Sequence, residues 1–149
     1  MLTTRTARTS ALTLAVASLV FGGAGAAQAA PTDSPAMPLN TGQEAPAPSV
    51  GGARGSFSYE IDGSELCYTI AVTGLSTPAV AAHIHLGERN VAGPVVVPLV
   101  VPAATSFETS ACATVDPALL AAIEADPRAY YVNVHTSMNP PGEVRGQLK

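Results

Sequence analysis

Apolar and polar residues alternate along much of this chain with the period of two that marks a β-strand buried on one face. Phe57, Tyr59 and Ile61 alternate with Ser56, Ser58 and Glu60, and Leu66, Tyr68, Ile70 and Val72 alternate with Cys67, Thr69 and Ala71. Asp62-Gly63 lies between these two runs and supplies the turn chemistry of a hairpin. Val95 to Val101 is a β-branched run interrupted by Pro98, which predicts an edge strand or a bulge, because proline cannot donate to a ladder. Phe107 to Val115 predicts another strand, and Val144 to Leu148 a last one with Val144, Gly146 and Leu148 opposite Arg145 and Gln147. The one helical pattern runs from Asp116 to Ala125, with Asp at the N-cap, Pro117 at the first helical position and apolar residues at 119, 120 and 123. Asp126-Pro127 ends it. Many short strands with turn signals and a single brief helix predict an all-β fold, an antiparallel Greek-key-like β-sandwich.

Two further β-like segments hold all three histidines of the chain: Ala82-His83-Ile84-His85-Leu86-Gly87 and Tyr131-Val132-Asn133-Val134-His135-Thr136. Residues two apart on a strand share a face, so His83 and His85 project together while Ala82, Ile84 and Leu86 project the other way. On the second segment Tyr130, Val132 and Val134 form the apolar face, and Tyr131, Asn133 and His135 the opposite one. The apolar faces account for the core, which puts the imidazoles on outward faces where they meet if the strands are neighbours. Three neutral imidazoles suit copper first and zinc second, and leave a position open for water or substrate. Tyr131 and Asn133 are placed to orient His135 from behind. A cysteine near the histidines would be needed for a blue-copper centre, and none is near in sequence.

Composition narrows the partners. At the N-terminus Arg5 and Arg8 precede a small, apolar stretch from Ala11 to Ala26 and an Ala27-Gln28-Ala29 cleavage pattern, which predicts a signal peptide over residues 1–29 and a secreted, extracellular protein. Residues 30–38, rich in Pro, Ser, Thr and Asp, read as a disordered leader, and 39–149 as one domain. Loss of Arg5 and Arg8 takes the net charge from −4 to −6. With the remaining basic residues dispersed, nucleic acid is excluded as a partner, and no second hydrophobic run is long enough to span a membrane. The expected partner is an extracellular protein or a metal ion. Cys67 and Cys112, the only cysteines, predict one disulfide in an oxidising compartment. No Gly-x-Ser-x-Gly elbow is present, and Gly51-Gly52 lacks phosphate-loop spacing, so a serine-hydrolase or phosphate-loop nucleotide site has no support, while zinc at the histidines would supply a bound water as a hydrolytic nucleophile. Asn139-Pro140-Pro141-Gly142 reads as a turn that either is purely structural or shapes the rim of the histidine site.

Three separated motifs, in order, resemble the CHRD domain, named for chordin and found also in exported microbial proteins. They are Leu39-Asn40-Thr41-Gly42-Gln43-Glu44-Ala45-Pro46; the first histidine segment followed by Gly93-Pro94-Val95-Val96-Val97-Pro98-Leu99; and the second histidine segment followed by Asn139-Pro140-Pro141-Gly142-Glu143-Val144-Arg145-Gly146-Gln147-Leu148. The resemblance implies a β-rich extracellular module. A fainter resemblance is to copper/zinc superoxide dismutases. Gly74-Leu75, His83, His85, Val134 with His135, and Arg145 follow in the order of that family's turn, copper ligands and anion-guiding arginine, although a bridging fourth histidine and a zinc cluster are missing. The leading expectation is a secreted CHRD binding module with a mononuclear copper site at His83, His85 and His135. The alternatives are a copper-only redox enzyme of dismutase type, with Arg145 steering the anion, and a protein-interaction domain whose histidines are structural.

Overall fold

In the computed structural model, residues 35–149 are described; the expected signal peptide (1–29) and residues 30–34 of the expected leader lie outside them, while Met37 and Pro38, assigned to the leader, belong to the first strand. Eight strands form one antiparallel sheet: β1 (Met37–Asn40), β2 (Arg54–Asp62), β3 (Glu65–Thr73), β4 (Ala79–Leu86), β5 (Val95–Leu99), β6 (Phe107–Thr114), β7 (Tyr130–Thr136) and β8 (Val144–Gln147). Their order across the sheet is β5-β4-β7-β8-β1-β2-β3-β6. The sheet curls round one core until its edges approach one another. Tyr68 of β3 ties the edges together: its hydroxyl accepts from the Val100 amide at 2.7 Å and donates to the Val100 carbonyl at 3.0 Å. The all-β antiparallel fold with one short helix is thus as the alternation predicts, in nearly closed, barrel-like form.

Local chemistry explains the elements. The β2–β3 hairpin turns at Gly63, whose φ of 60° is costly for a residue with a side chain, and pairs in register from Asp62↔Glu65 to Arg54↔Thr73. Pro98 lies on β5, an outermost strand, where its missing N–H is harmless. Helix α1 (Pro117–Ala125) begins where Asp116 accepts from the Ala118 amide at 2.7 Å, and it buries Leu120 and Ile123. Phe57, Leu66, Tyr68, Ile70, Ile84 and Val132 are all buried in the core, on the faces that the alternation assigns to it. Leu86 is a correction. Alternation puts it on the core face, yet it is 44 % exposed, because β4 ends there and its pairing with β5 shifts register between Ile84 and His85.

Strand β1, which the alternation does not signal, lies in the middle of the sheet between β8 and β2, with Met37 and Leu39 buried. Cys67 and Cys112 are register partners on β3 and β6 and form the expected disulfide. Bonded to each other, they offer no thiolate to a site at the imidazoles.

Candidate metal centre

Strands β4 and β7 are neighbours, paired so that His83 lies opposite Asn133, His85 opposite Tyr131 and Ala81 opposite His135. All three imidazoles therefore rise from one face of the two strands. Their ring centres are separated by 4.9 Å (His83–His135), 5.6 Å (His83–His85) and 5.8 Å (His85–His135). One nitrogen from each ring lies within 4.8 Å of the others. Ligands about 2.1 Å from a shared ion stand roughly 3–3.5 Å apart, so small ring movements close the set.

The face is not outward, however, as the strand pattern had suggested. His85 and His135 are buried, and only His83 is half-exposed. Every residue of β7 is buried on both faces, because two loops fold over the histidine side. The first loop, residues 87–94, is clamped by Arg145, which donates to the Val91 carbonyl at 3.0 Å and the Glu88 carbonyl at 2.7 Å, and by Gln147, which donates to the Gly87 carbonyl at 2.7 Å. Gly93 is required there, since a Cβ would run into the Leu86 carbonyl. The second loop, residues 137–143, is pinned by Glu143. This carboxylate accepts from the Ser76 amide (2.7 Å) and from Ser76 Oγ (2.6 Å), Thr136 Oγ1 (2.7 Å) and Asn139 Nδ2 (3.0 Å). Burial alone would push its carboxyl up, but these hydrogen bonds hold its pKa below the ordinary carboxylate value. The Asn-Pro-Pro-Gly turn closes a tight connection and also sets the Pro140 carbonyl beside His135.

Each loop delivers one carbonyl to one histidine. His85 Nδ1 lies 2.9 Å from the Gly93 oxygen, and His135 Nδ1 lies 2.8 Å from the Pro140 oxygen. A carbonyl only accepts, so both Nδ1 atoms carry the proton and both Nε2 atoms present a lone pair. His135 Nε2 is 3.0 Å from His83 Nδ1, which must then be the donor in the neutral cluster. Burial depresses the pKa of all three histidines. Mutual repulsion adds to this at His83 and His135, and the Arg145 charge adds to it at His85. The imidazoles are accordingly neutral near pH 7, the form that binds metal.

The residues around the cluster are stacked. Tyr131 lies parallel to His85, 4.7 Å between centres with 6° between planes, and the Arg145 guanidinium sits 3.3 Å above the Tyr131 ring centre. Tyr131 Oη accepts from the Gly93 amide at 3.2 Å, so the loop that orients His85 is tied to the ring stacked on it. Asn133 donates to the Pro141 carbonyl at 3.2 Å. Tyr131, Asn133 and Arg145 are all close to the cluster, but Tyr131 and Asn133, expected to orient His135, lie against His85, and Arg145, expected only as an anion guide, sits over the Tyr131 ring.

Sequence reasoning assigned no site role to Glu44, Ser76, Gly93 or the Pro140 carbonyl. Glu44 is 7 % exposed, and its pKa rises from 4.5 to about 7 because burial outweighs the Arg145 charge and the Asn133 amide beside it. Only its place in the opening Gly-Gln-Glu motif marked it out.

These features define the class: an antiparallel β-domain that buries a polar, histidine-bearing layer beneath two clamped loops. The chain belongs to the CHRD family, whose model, described as the CHRD domain, matches residues 36–148. Comparison with curated proteins and with solved structures found no match. Among the described residues, no helix is long and apolar enough to cross a membrane.

Proposed function

We propose that this protein is an extracellular CHRD binding module that holds one copper ion on His83, His85 and His135. The observation that carries the reading is the pair of carbonyls, Gly93 and Pro140, that fix the proton on Nδ1 of His85 and His135 and leave each Nε2 free. Backing a ligating histidine with a carbonyl is how metal sites hold a tautomer and orient a ring. Copper is preferred to zinc because the donors are neutral nitrogens without an added carboxylate or thiolate, and copper heads the divalent affinity order for such ligands. The paired cysteines fit an oxidising, extracellular setting.

A redox enzyme would use the same ligands, with Arg145 meeting an incoming anion. Against that role, Arg145 is 1 % exposed and its guanidinium is engaged by two carbonyls and the Tyr131 ring, which supports a clamp. A second reading has its own observation: the 3.0 Å bond from His83 to His135 is a metal-free cross-strand link, and the histidines on this view are structural.

Cu(II) titration of the oxidised protein with electron paramagnetic resonance separates the readings. The expected result is one copper per chain, hyperfine structure from imidazole nitrogens, and affinity at least tenfold weaker in each of His83→Ala, His85→Ala and His135→Ala. Copper binding unaffected by these changes, with stability lowered equally in the presence and absence of metal, would establish the structural reading instead. Loss of superoxide consumption in Arg145→Ala with copper retained would favour the enzyme.

A further inference from the structure

Among the described residues, four buried side-chain polar atoms lack a hydrogen-bond partner: Glu44 Oε1, His85 Nε2, Asn133 Oδ1 and Arg145 Nε. Buried polar atoms are nearly always paired, because an unpaired one forfeits its hydration. Here all four belong to one neighbourhood. Asn133 and Arg145 are register partners on β7 and β8, and Glu44 feels both the Arg145 charge and the Asn133 amide. A Cβ on Gly142 would meet both the Glu44 carboxylate and Asn133 Nδ2, so these two groups lie against one another.

The orientation of the Asn133 amide is fixed. Its Nδ2 donates to the Pro141 carbonyl at 3.2 Å, and its oxygen therefore points the other way, where the side chain lies against His85. Exchanging the two amide atoms would set oxygen against oxygen at Pro141 and at Glu44. On the opposing side the Gly93 carbonyl holds the His85 proton on Nδ1 and leaves Nε2 as a lone pair. Asn133 Oδ1 and His85 Nε2 are thus two buried acceptors, each without a donor, on side chains that lie against one another. A positive charge placed between them satisfies both. A proton on that His85 nitrogen would serve. A metal ion serves as well and is already called for by the histidine on that same nitrogen.

We propose that the Asn133 amide oxygen is a fourth ligand of the copper site, completing a three-nitrogen, one-oxygen donor set with His83, His85 and His135. This rests on the copper reading above and extends it. Glu44 acts one step behind, as a positioning residue whose carboxylate faces the amide N–H side and keeps the oxygen turned toward the metal. An amide oxygen is a neutral, hard donor, so the set favours Cu(II) over Cu(I), which prefers soft ligands.

The test is pulsed electron-nuclear double resonance on Cu(II)-loaded protein carrying asparagine labelled with carbon-13 at the side-chain carbonyl. Ligation by the amide oxygen places that carbon two bonds from copper, and a carbon-13 coupling is expected alongside the imidazole nitrogens. The chain has three other asparagines, Asn40, Asn90 and Asn139, and loss of the coupling in Asn133→Asp with the nitrogen pattern retained assigns it. Nitrogen couplings without carbon-13 coupling in the labelled native protein would overturn the fourth ligand while leaving the histidine site standing. Absence of nitrogen coupling would overturn the copper reading itself, and with it this one. The labelled native protein gives its answer whether or not the variant folds.

Discussion

A carbonyl oxygen carries no proton, and two such oxygens decide which nitrogens in the histidine cluster are free. The same burial that keeps the imidazoles neutral acts with opposite sign on Glu44, and the two effects meet in one pH range. For the histidines the folded pKa lies below the unfolded value of 6.5, so their contribution to stability is present above that pH and lost as pH falls toward the folded value. For Glu44 the folded pKa is raised from 4.5 to about 7, so its contribution is present below 4.5 and lost as pH rises through 7. In metal-free protein the two oppose each other where these windows overlap, below pH 6.5 and above 4.5. Glu44→Gln removes only the second effect. Its stability relative to the native chain should increase steadily from pH 5 to pH 8, read from urea unfolding at several pH values; parallel curves for the two proteins would show that Glu44 does not titrate as described. At this scale the sequence was half legible. That His83 and His85 share a face follows from their spacing, and that His135 joins them follows from the pairing of β4 with β7. The partners that set their tautomers are backbone atoms of Gly93 and Pro140, and a carbonyl's aim depends on how its loop lies rather than on which residue bears it.

The elements show why the histidine face, expected outward, is covered. Strand alternation reports which face is apolar and says nothing about what a neighbouring loop does to the polar face. Here the loops 87–94 and 137–143 supply that cover, each anchored by a buried charged residue just outside or within β8: Glu143 for one and Arg145 for the other. Strand β1 was hidden for a different reason. It is four residues long, Met-Pro-Leu-Asn, too short for its alternation to stand out and with a proline in it, and its central place comes from pairing with β2 and β8. The long, regular hairpin and the capped helix were legible because each carries its own local signals. The Glu143 anchor gives the clearest element-scale test. Glu143→Ala strands the hydroxyls of Ser76 and Thr136 and the amide of Asn139 in the interior and should lower stability by about 3 kcal/mol, measured by denaturant unfolding. Because the loop it pins carries the Pro140 carbonyl, copper affinity should fall with it even though Glu143 touches no histidine. Unchanged affinity in a destabilised variant would mean that His135 holds its orientation without that loop.

Across the whole molecule the two features characteristic of its chemistry, the disulfide and the histidine cluster, occupy different strands of one sheet. The cluster sits on β4 and β7, the disulfide on β3 and β6, and three strands, β8, β1 and β2, stand between β7 and β3. A cross-link closing 45 residues of chain separation constrains the unfolded state, an effect worth roughly 2–4 kcal/mol that is independent of where on the sheet it falls. The orientation of the imidazoles, by contrast, depends on β4, β7, β8 and the loops they anchor. The disulfide should therefore determine how long the domain survives, and the loops how well it binds. The double change Cys67→Ser with Cys112→Ser ought to lower the unfolding free energy by that roughly 2–4 kcal/mol. At temperatures where the variant remains folded, its copper affinity and nitrogen hyperfine pattern should match those of the native protein. The near-closure of the sheet offers the one route by which this separation would fail, because Tyr68 of β3 bonds to Val100 just beyond β5, the strand that flanks β4. If affinity falls in step with stability in the fully folded variant, strain from the disulfide end reaches the histidines through that contact, and Tyr68→Phe with the disulfide intact should reproduce part of the loss.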